Sequence, residues 1–360
     1  MKVLHVVGAR PNFMKTAPIM REMDRRGGFQ QWLIHTGQHY DDGMSRVFFD
    51  ELGLPRPDED LGVGSDSHTR QTAEIMLRFE PVLRARKPDW VVVVGDVNST
   101  MACALVAAKE GTRLAHVEAG LRSFDRAMPE ELNRLVTDTL ADLLLTPSAD
   151  ADENLRRAGI PESRIRRVGN VMIDTLCANL EKARARPILR QLGLLPRSFV
   201  YVTLHRPNNV DEREPLAGIM ASLTSVALKV PIVFAVHPRT RKKLDEFGLL
   251  PAAETGAVRL LEPLGYHDSI ALTDAAACVL TDSGGLQEET TYLGVPCLTL
   301  RPNTERPITI AEGTNRLTTI PRVEVELSRR LHEDRSQRPP PELWDGHAAE
   351  RIVDAVTRGR

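Results

Sequence analysis

The sequence predicts an α/β protein of two Rossmann-like domains whose parallel sheets face a central cleft. Two observations carry the prediction. Short apolar runs, each followed by a polar turn and a helix-length amphipathic segment, recur along the chain in the pattern of βα units. The chain has 360 residues, more than one hydrophobic core usually supports, and the pattern pauses and restarts near its middle.

The elements follow in order. Val3 to Val7, Gln31 to His35, Trp90 to Val94, Leu114 to Val117 and Leu143 to Thr146 are the strands of a first domain, residues 1–170. A helical stretch rich in Arg and Lys, Thr175 to Gly193, lies at the start of the second domain, residues 171–345. Its strands are Phe199 to Leu204, Ile232 to Val236, Val258 to Leu260, Cys278 to Leu280 and Cys297 to Leu300. The connecting segment is not Gly/Ser-rich, so the boundary is set by where strands resume. A polar proline loop, Arg335 to Pro341, precedes Leu343 to Thr357, where Ala348, Ile352, Val353 and Val356 have helical spacing. A closing helix in residues 346–360 is expected.

Composition narrows the function. The 47 basic and 49 acidic residues nearly cancel, and no basic run announces nucleic acid or an anionic membrane. The partner is expected to be a small molecule. Met1 and Lys2 lead straight into the first strand with no apolar signal core, and no stretch of about 18 apolar residues appears. Cys103, Cys177, Cys278 and Cys297 form neither a CxxC pair nor a His/Cys ligand cluster, so they read as free thiols in a reducing, cytoplasmic compartment.

In open parallel sheets, ligands bind beyond the carboxyl ends of strands, and this rule selects the candidate residues. After the first strand comes Gly8-Ala9-Arg10-Pro11-Asn12-Phe13-Met14-Lys15, a tight turn into a helix. It is not a GxGxxG, which disfavours a dinucleotide cofactor. Arg10 and Lys15 near a helix start suit an anion through charge and free N–H groups, although a solvated Arg and Lys would look the same.

The segment Thr281-Asp282-Ser283-Gly284-Gly285 runs from a buried strand into a helix and reads as a diphosphate cradle. Glycines let the backbone approach phosphate oxygens, and the helix start adds donors and dipole. Glu289, one turn on, is placed to accept from ribose hydroxyls. Asp96 and Glu118 each follow a strand, and Glu130 follows Pro129 at a helix start. Such acids can divide acid and base work. The bland alternatives are a helix cap for Asp96, a buried partner of Arg122 for Glu118, and a macrodipole complement for Glu130. His205 and His237 also end strands and suit phosphate, and no ligand spacing argues for a metal.

Together these segments resemble the non-hydrolysing UDP-N-acetylglucosamine 2-epimerases. The resemblance rests on Gly8-Ala9-Arg10-Pro11 with Lys15, Gly37-Gln38-His39, Gly95-Asp96, His116 to Arg122 and Pro129 to Arg134. It continues through Gly169-Asn170, His205-Arg206, Thr281 to Glu289 and Thr304 to Pro307, in order along nearly the whole chain. It implies the GT-B-like glycosyltransferase/epimerase fold, a homodimer, and no cofactor or metal. It also implies inversion of C2 of a UDP-linked amino sugar, UDP-N-acetylglucosamine to UDP-N-acetylmannosamine, by anti elimination of UDP to give a 2-acetamidoglucal, with UDP then added back and the proton returned to the other face.

By that resemblance Asp96 and Glu130 take the acid/base work, and Glu118 and His205 complete the catalytic set. His205, Arg10 and Ser283 hold the diphosphate with Gly284 and Gly285, Lys15 adds positive charge, Glu289 grips ribose, and His237 is a further phosphate candidate. Gln38, His39, Arg70 and Gln71 correspond to regulatory or substrate contacts, with Asp41 in place of a second Gln. Rival readings are an epimerase of another UDP-sugar (a 2,3-diacetamido uronic acid or UDP-glucose), a UDP-sugar glycosyltransferase, a hydrolysing epimerase and a non-catalytic sensor. Three acids at separate strand or helix ends favour epimerisation.

Overall fold

A computed structural model describes residues 1–37, 51–250 and 258–359, with the side chain of Arg10 outside that description. Gln38, His39 and Asp41 therefore lie outside the described residues. The chain divides into two compact units, Met1–Cys177 with Glu342–Arg360, and Ala178–Pro341. It passes from one to the other inside the helix Val171–Arg184.

The first unit holds a parallel sheet of β1 (Lys2–Val7), β2 (Gln30–His35), β3 (Glu59–Asp60), β4 (Trp90–Val94), β5 (Arg113–Val117), β6 (Leu143–Thr146) and β7 (Ile165–Arg167). Their spatial order is β3-β2-β1-β4-β5-β6-β7. The run Trp90-Val-Val-Val-Val94 is apolar throughout because helices cover both faces of β4. Val91 and Val93 pack with Ile75, Phe79, Ala102 and Ala107. Val92 and Val94 pack on the opposite side with Ile19, Met23, Ile352 and Val353. Burying each such side chain contributes about 1.5–3 kcal/mol.

The second unit repeats the plan with β8 (Val200–Thr203), β9 (Ile232–Ala235), β10 (Val258–Leu261), β11 (Cys278–Thr281), β12 (Cys297–Leu300) and β13 (Asn315–Thr318). They lie in the order β10-β9-β8-β11-β12-β13. All pairings in both sheets are parallel. In each sheet the chain order reverses beside the first strand, between β1 and β4 and between β8 and β11. Such a switch point opens a crevice at the strand ends.

Register decides what emerges there. Val94 lies opposite Val117, so Gly95-Asp96 and Glu118 leave adjacent strands together. Thr203 lies opposite Thr281, so Leu204-His205 and Asp282 do the same in the second unit.

The ten expected strands all form, within one or two residues at their ends. β3, β7 and β13 were not anticipated; each carries charged or polar residues and lies at a sheet edge. The helix expected over Thr175 to Gly193 is two helices, Val171–Arg184 and Ile188–Gln191, interrupted at Pro187, which supplies no N–H donor.

The closing helix begins at Ala348, later than Leu343, because the backbone turns through left-handed residues at Leu343 (φ 63°) and Gly346 (φ 82°). It belongs to the first unit. Asp174 caps it, its carboxylate accepting from the N–H groups of Ala348 at 3.0 Å and Ala349 at 2.6 Å. Burial pushes Asp174 up to about 6, against the pull of those two bonds and of Arg351.

The four cysteines are free thiols. Burial lifts Cys297 to about 11 and raises Cys103 and Cys278 as well. Among the described residues, no helix is long and apolar enough to cross a membrane.

Candidate active site

In the first unit the turn after β1 is closed by Asn12. Its Oδ1 accepts from the N–H groups of Gly8 and Ala9, both at 3.0 Å, and its Nδ2 donates to the carbonyl of Val94 at 3.0 Å. The Asn12 side chain thereby satisfies both N–H groups of the turn that precedes the helix. Gly8 permits the close approach, since a Cβ there would come within 2.7 Å of the Thr36 hydroxyl.

Lys15, one turn into the helix Arg10–Arg26, is buried and ion-paired with Glu118. Arg122 pairs instead with Asp138. Glu118 is thus not the partner of Arg122. It has a left-handed backbone, φ 70°, an uncommon state for a side chain other than Gly or Asn that clusters at functional sites. Gly95 sits against this pair with φ 69°, and a Cβ on it would lie 2.9 Å from the Lys15 ammonium.

Asp96 is not a helix cap. Its carboxylate meets the buried guanidinium of Arg134, and its carbonyl accepts from the Asn133 amide at 2.8 Å. Arg134 is itself held by Glu131 at 2.7 Å. Burial pushes Glu131 up, but bonds from Ser123 and Arg134 prevail and hold it below the ordinary carboxylate range. Glu130 is half-buried in the first turn of the helix Pro129–Leu140.

His116 adds a support. Its Nε2 bonds the Gly95 carbonyl at 2.8 Å and its Nδ1 the Asp138 carboxylate at 2.7 Å. Gln71 is buried, with its Oε1 accepting from Asn98 at 2.8 Å and its Nε2 donating to the Gly64 carbonyl at 3.0 Å. It therefore anchors the start of the helix Asn98–Lys109. Arg70 is exposed, and its backbone N–H reaches the capping hydroxyl of Ser67.

In the second unit Asp282 is fully buried and gathers four groups. The N–H groups of His205 and Arg206, the Asn209 amide and His205 Nδ1 all lie within 2.9–3.1 Å of its oxygens. Burial raises this carboxyl, but the His205 ring, Asn209 and the Arg206 N–H outweigh it and hold Asp282 below its ordinary range. The rings of His205 and His237 stand 5.6 Å apart, centroid to centroid.

Ser283 is the N-cap of the helix Gly284–Leu293. The first N–H groups of a helix have no partner within it, so Gly284, Gly285 and Leu286 present a donor-rich start. A Cβ on Gly284 would lie 2.6 Å from Arg306 Nη1. Arg306 is fixed by Glu288 at 2.8 Å and by Glu305, which gives the Thr304 to Pro307 segment its work. Burial lifts Glu289 to about 7, with Tyr266 donating at 3.1 Å to lower it and the charge of Glu288 adding to the rise.

The residues selected from sequence did not include Asp282, Arg134, Glu131 or Tyr266. Asp282 was open to the strand-end rule, since it directly follows β11. Arg134 and Glu131 lie on the Glu130 helix, where spacing alone gives no sign that they turn toward Asp96. Among the described residues no group of three or more His, Cys, Asp or Glu is arranged to hold a metal ion.

The fold is that of an α/β protein of two Rossmann-like units with charged and polar groups gathered at the ends of their strands. Comparison with known proteins narrows the class. The family model described as UDP-N-acetylglucosamine 2-epimerase matches residues 21–357. The chain is 40% identical over 372 residues to the UDP-N-acetylglucosamine 2-epimerase of Methanocaldococcus jannaschii, covering 100% of each chain. It is 36% identical over 363 residues to the UDP-2,3-diacetamido-2,3-dideoxy-D-glucuronate 2-epimerase of Pseudomonas aeruginosa, covering 99% of this chain and 100% of that one. It superposes with a TM-score of 0.92 on the crystal structure of M. jannaschii UDP-GlcNAc 2-epimerase in complex with UDP-GlcNAc and UDP, at 40% identity and covering 99% of this chain and 100% of that one. The chain belongs to the UDP-N-acetylglucosamine 2-epimerase family.

Proposed function

We propose that this protein is a non-hydrolysing epimerase that interconverts UDP-N-acetylglucosamine and UDP-N-acetylmannosamine. One observation carries the reading most directly. The register of β4 and β5 delivers Asp96 and Glu118 side by side, each paired with its own buried cation, Arg134 and Lys15.

The reaction needs a base at C2, an acid for the return and a hold on the departing diphosphate. A base takes the C2 proton, the C–H electron pair becomes the C1–C2 double bond, and UDP leaves with the C1–O pair. Re-addition reverses these steps after the proton is delivered to the opposite face.

Asp96 and Glu130 are assigned the proton transfers. Glu118 is assigned a supporting role, its charge balanced by Lys15, which supplies the local positive field. His205 with Arg10, Ser283, Gly284 and Gly285 is assigned to the diphosphate, assisted by His237, and Glu289 to the ribose. The carboxylate of Glu289, tied to a phenol and lifted toward neutrality by burial, suits a neutral hydroxyl partner. Gln38, His39, Arg70 and Gln71 are kept as a candidate second substrate contact. Free thiols and the family resemblance support a cytoplasmic homodimer.

Incubation with UDP-N-acetylglucosamine in deuterated water, followed by NMR, tests the reading. UDP-N-acetylmannosamine carrying deuterium at C2 is expected. Product without deuterium removes the elimination mechanism, and free sugar indicates hydrolysis. Turnover only of a UDP-linked 2,3-diacetamido uronic acid moves the assignment to the chemistry of the P. aeruginosa relative.

A further inference from the structure

The two histidines of the second unit are wired differently. His205 Nδ1 lies 3.0 Å from Asp282 Oδ1, and Asp282 is a carboxylate surrounded by donors. An ionised carboxylate only accepts, so the hydrogen must sit on Nδ1 of His205. Nε2 is left as the nitrogen that can accept, on a side chain 42% exposed. In His237 the Nδ1 accepts from the backbone N–H of Arg239 at 3.2 Å. Its hydrogen therefore sits on Nε2. Two imidazoles 5.6 Å apart thus hold opposite tautomers, one offering an acceptor and the other a donor.

We propose that Asp282 is a positioning residue that fixes the Nδ1–H of His205, so that a proton carried on Nε2 passes to the departing diphosphate oxygen as the C1–O bond breaks and returns to Nε2 as that bond re-forms, without the ring turning. The consequence for the diphosphate rests on the epimerase reading above; the tautomer itself does not. When Nε2 is protonated, Nδ1–H still points to Asp282, so one ring orientation serves both states and the charged ring becomes a charge-assisted donor to an anionic oxygen. Asp282 also holds the His205 and Arg206 N–H groups, which fixes the loop as well as the ring. β8 and β11 lie side by side at the point where strand order reverses, and that is what allows a residue just past the end of one to steer a residue just past the end of the other.

Asp282→Asn separates these effects. The amide oxygen takes the site that accepts from Arg206 N–H and Asn209. The NH2 then faces Nδ1 and forces the hydrogen onto Nε2, the same wrong-tautomer effect that an Asp-to-Asn change produces in a serine-protease triad.

Long-range 1H–15N spectra of the ligand-free protein, recorded on neutral rings, test the proposal. His205 should show a protonated Nδ1 and an unprotonated Nε2 in the wild type, and the reverse in Asp282→Asn. The variant should lose about 10²–10⁴-fold in kcat while KM changes much less. In a His205→Gln background Asp282→Asn should cost nothing further. A wild-type His205 with its hydrogen on Nε2 overturns the proposal without need of any variant. An Asp282→Asn loss that persists in full in the His205→Gln background overturns it too, because Asp282 would then act only as a structural anchor. The expected tautomers in a protein that turns over no UDP-sugar would uphold the Asp282 assignment while removing the epimerase reading.

Discussion

Lys15 and Glu118 form an ion pair in which the side chains are only 6% and 7% exposed. Such a pair does little for stability as a unit, but removing one member takes a counter-charge out of a site shielded from water, at about 3–5 kcal/mol. Lys15→Met should therefore lower the urea midpoint strongly with an unchanged m-value. The double variant Lys15→Met with Glu118→Gln should recover much of the loss, since no net charge is then buried. Equal loss in single and double variants would show that packing, not charge, dominates the site.

Gly95 should tolerate no side chain. Gly95→Ala places a Cβ 2.9 Å from the Lys15 ammonium at a left-handed backbone position, with strain of about 1–3 kcal/mol. We expect both reduced stability in chemical unfolding and a large drop in C2 exchange. Normal exchange in Gly95→Ala would mean that the Lys15–Glu118 pair can move aside.

Asp96→Asn keeps the shape of the side chain and removes its charge. If Asp96 handles a proton at C2, deuterium exchange should fall by about 10²–10⁴-fold, while UDP binding measured by calorimetry stays near the wild-type value. Loss of UDP binding instead would make Asp96 a structural partner of Arg134.

Glu289 makes stability depend on pH in a defined direction. Its folded value, raised to about 7, exceeds that of an unfolded glutamate, so the folded state holds the proton more tightly and ΔG falls as pH rises between the two values. Glu289→Gln keeps an acceptor for Tyr266 and abolishes the titration. Wild type should lose about 1–3 kcal/mol relative to the variant between about pH 4.5 and 7.5. Parallel curves for the two proteins would show that Glu289 has no raised proton affinity.

Much of this could be read before any coordinates because parallel strands write themselves plainly. Trp90-Val-Val-Val-Val94 needs cover on both faces, and that alone implies a central strand with helices on either side. β13, with Asn315 and Arg316, lacks any such mark. The strand-end rule picks out Asp96, Glu118, His205 and Ser283 as candidates for the same reason: each occupies the first positions after a legible strand. What it could not supply is pairing. Lys15 stands 103 residues before Glu118 in the chain, and only the placement of the helix Arg10–Arg26 beside β4 and β5 joins them. Arg122 lay nearer in sequence and was the natural guess, yet it pairs with Asp138.

The helix Ala348–Arg358 covers Ile19, Met23 and the β1 and β4 side chains of the first unit. A ribosome releases the first residues of that unit long before it makes this helix, and the whole second unit, Ala178–Pro341, is synthesised in between. The order of manufacture and the order of completion therefore differ. The first sheet must wait with one apolar face incompletely covered while the second unit emerges, a period in which chaperone binding and premature termination matter most.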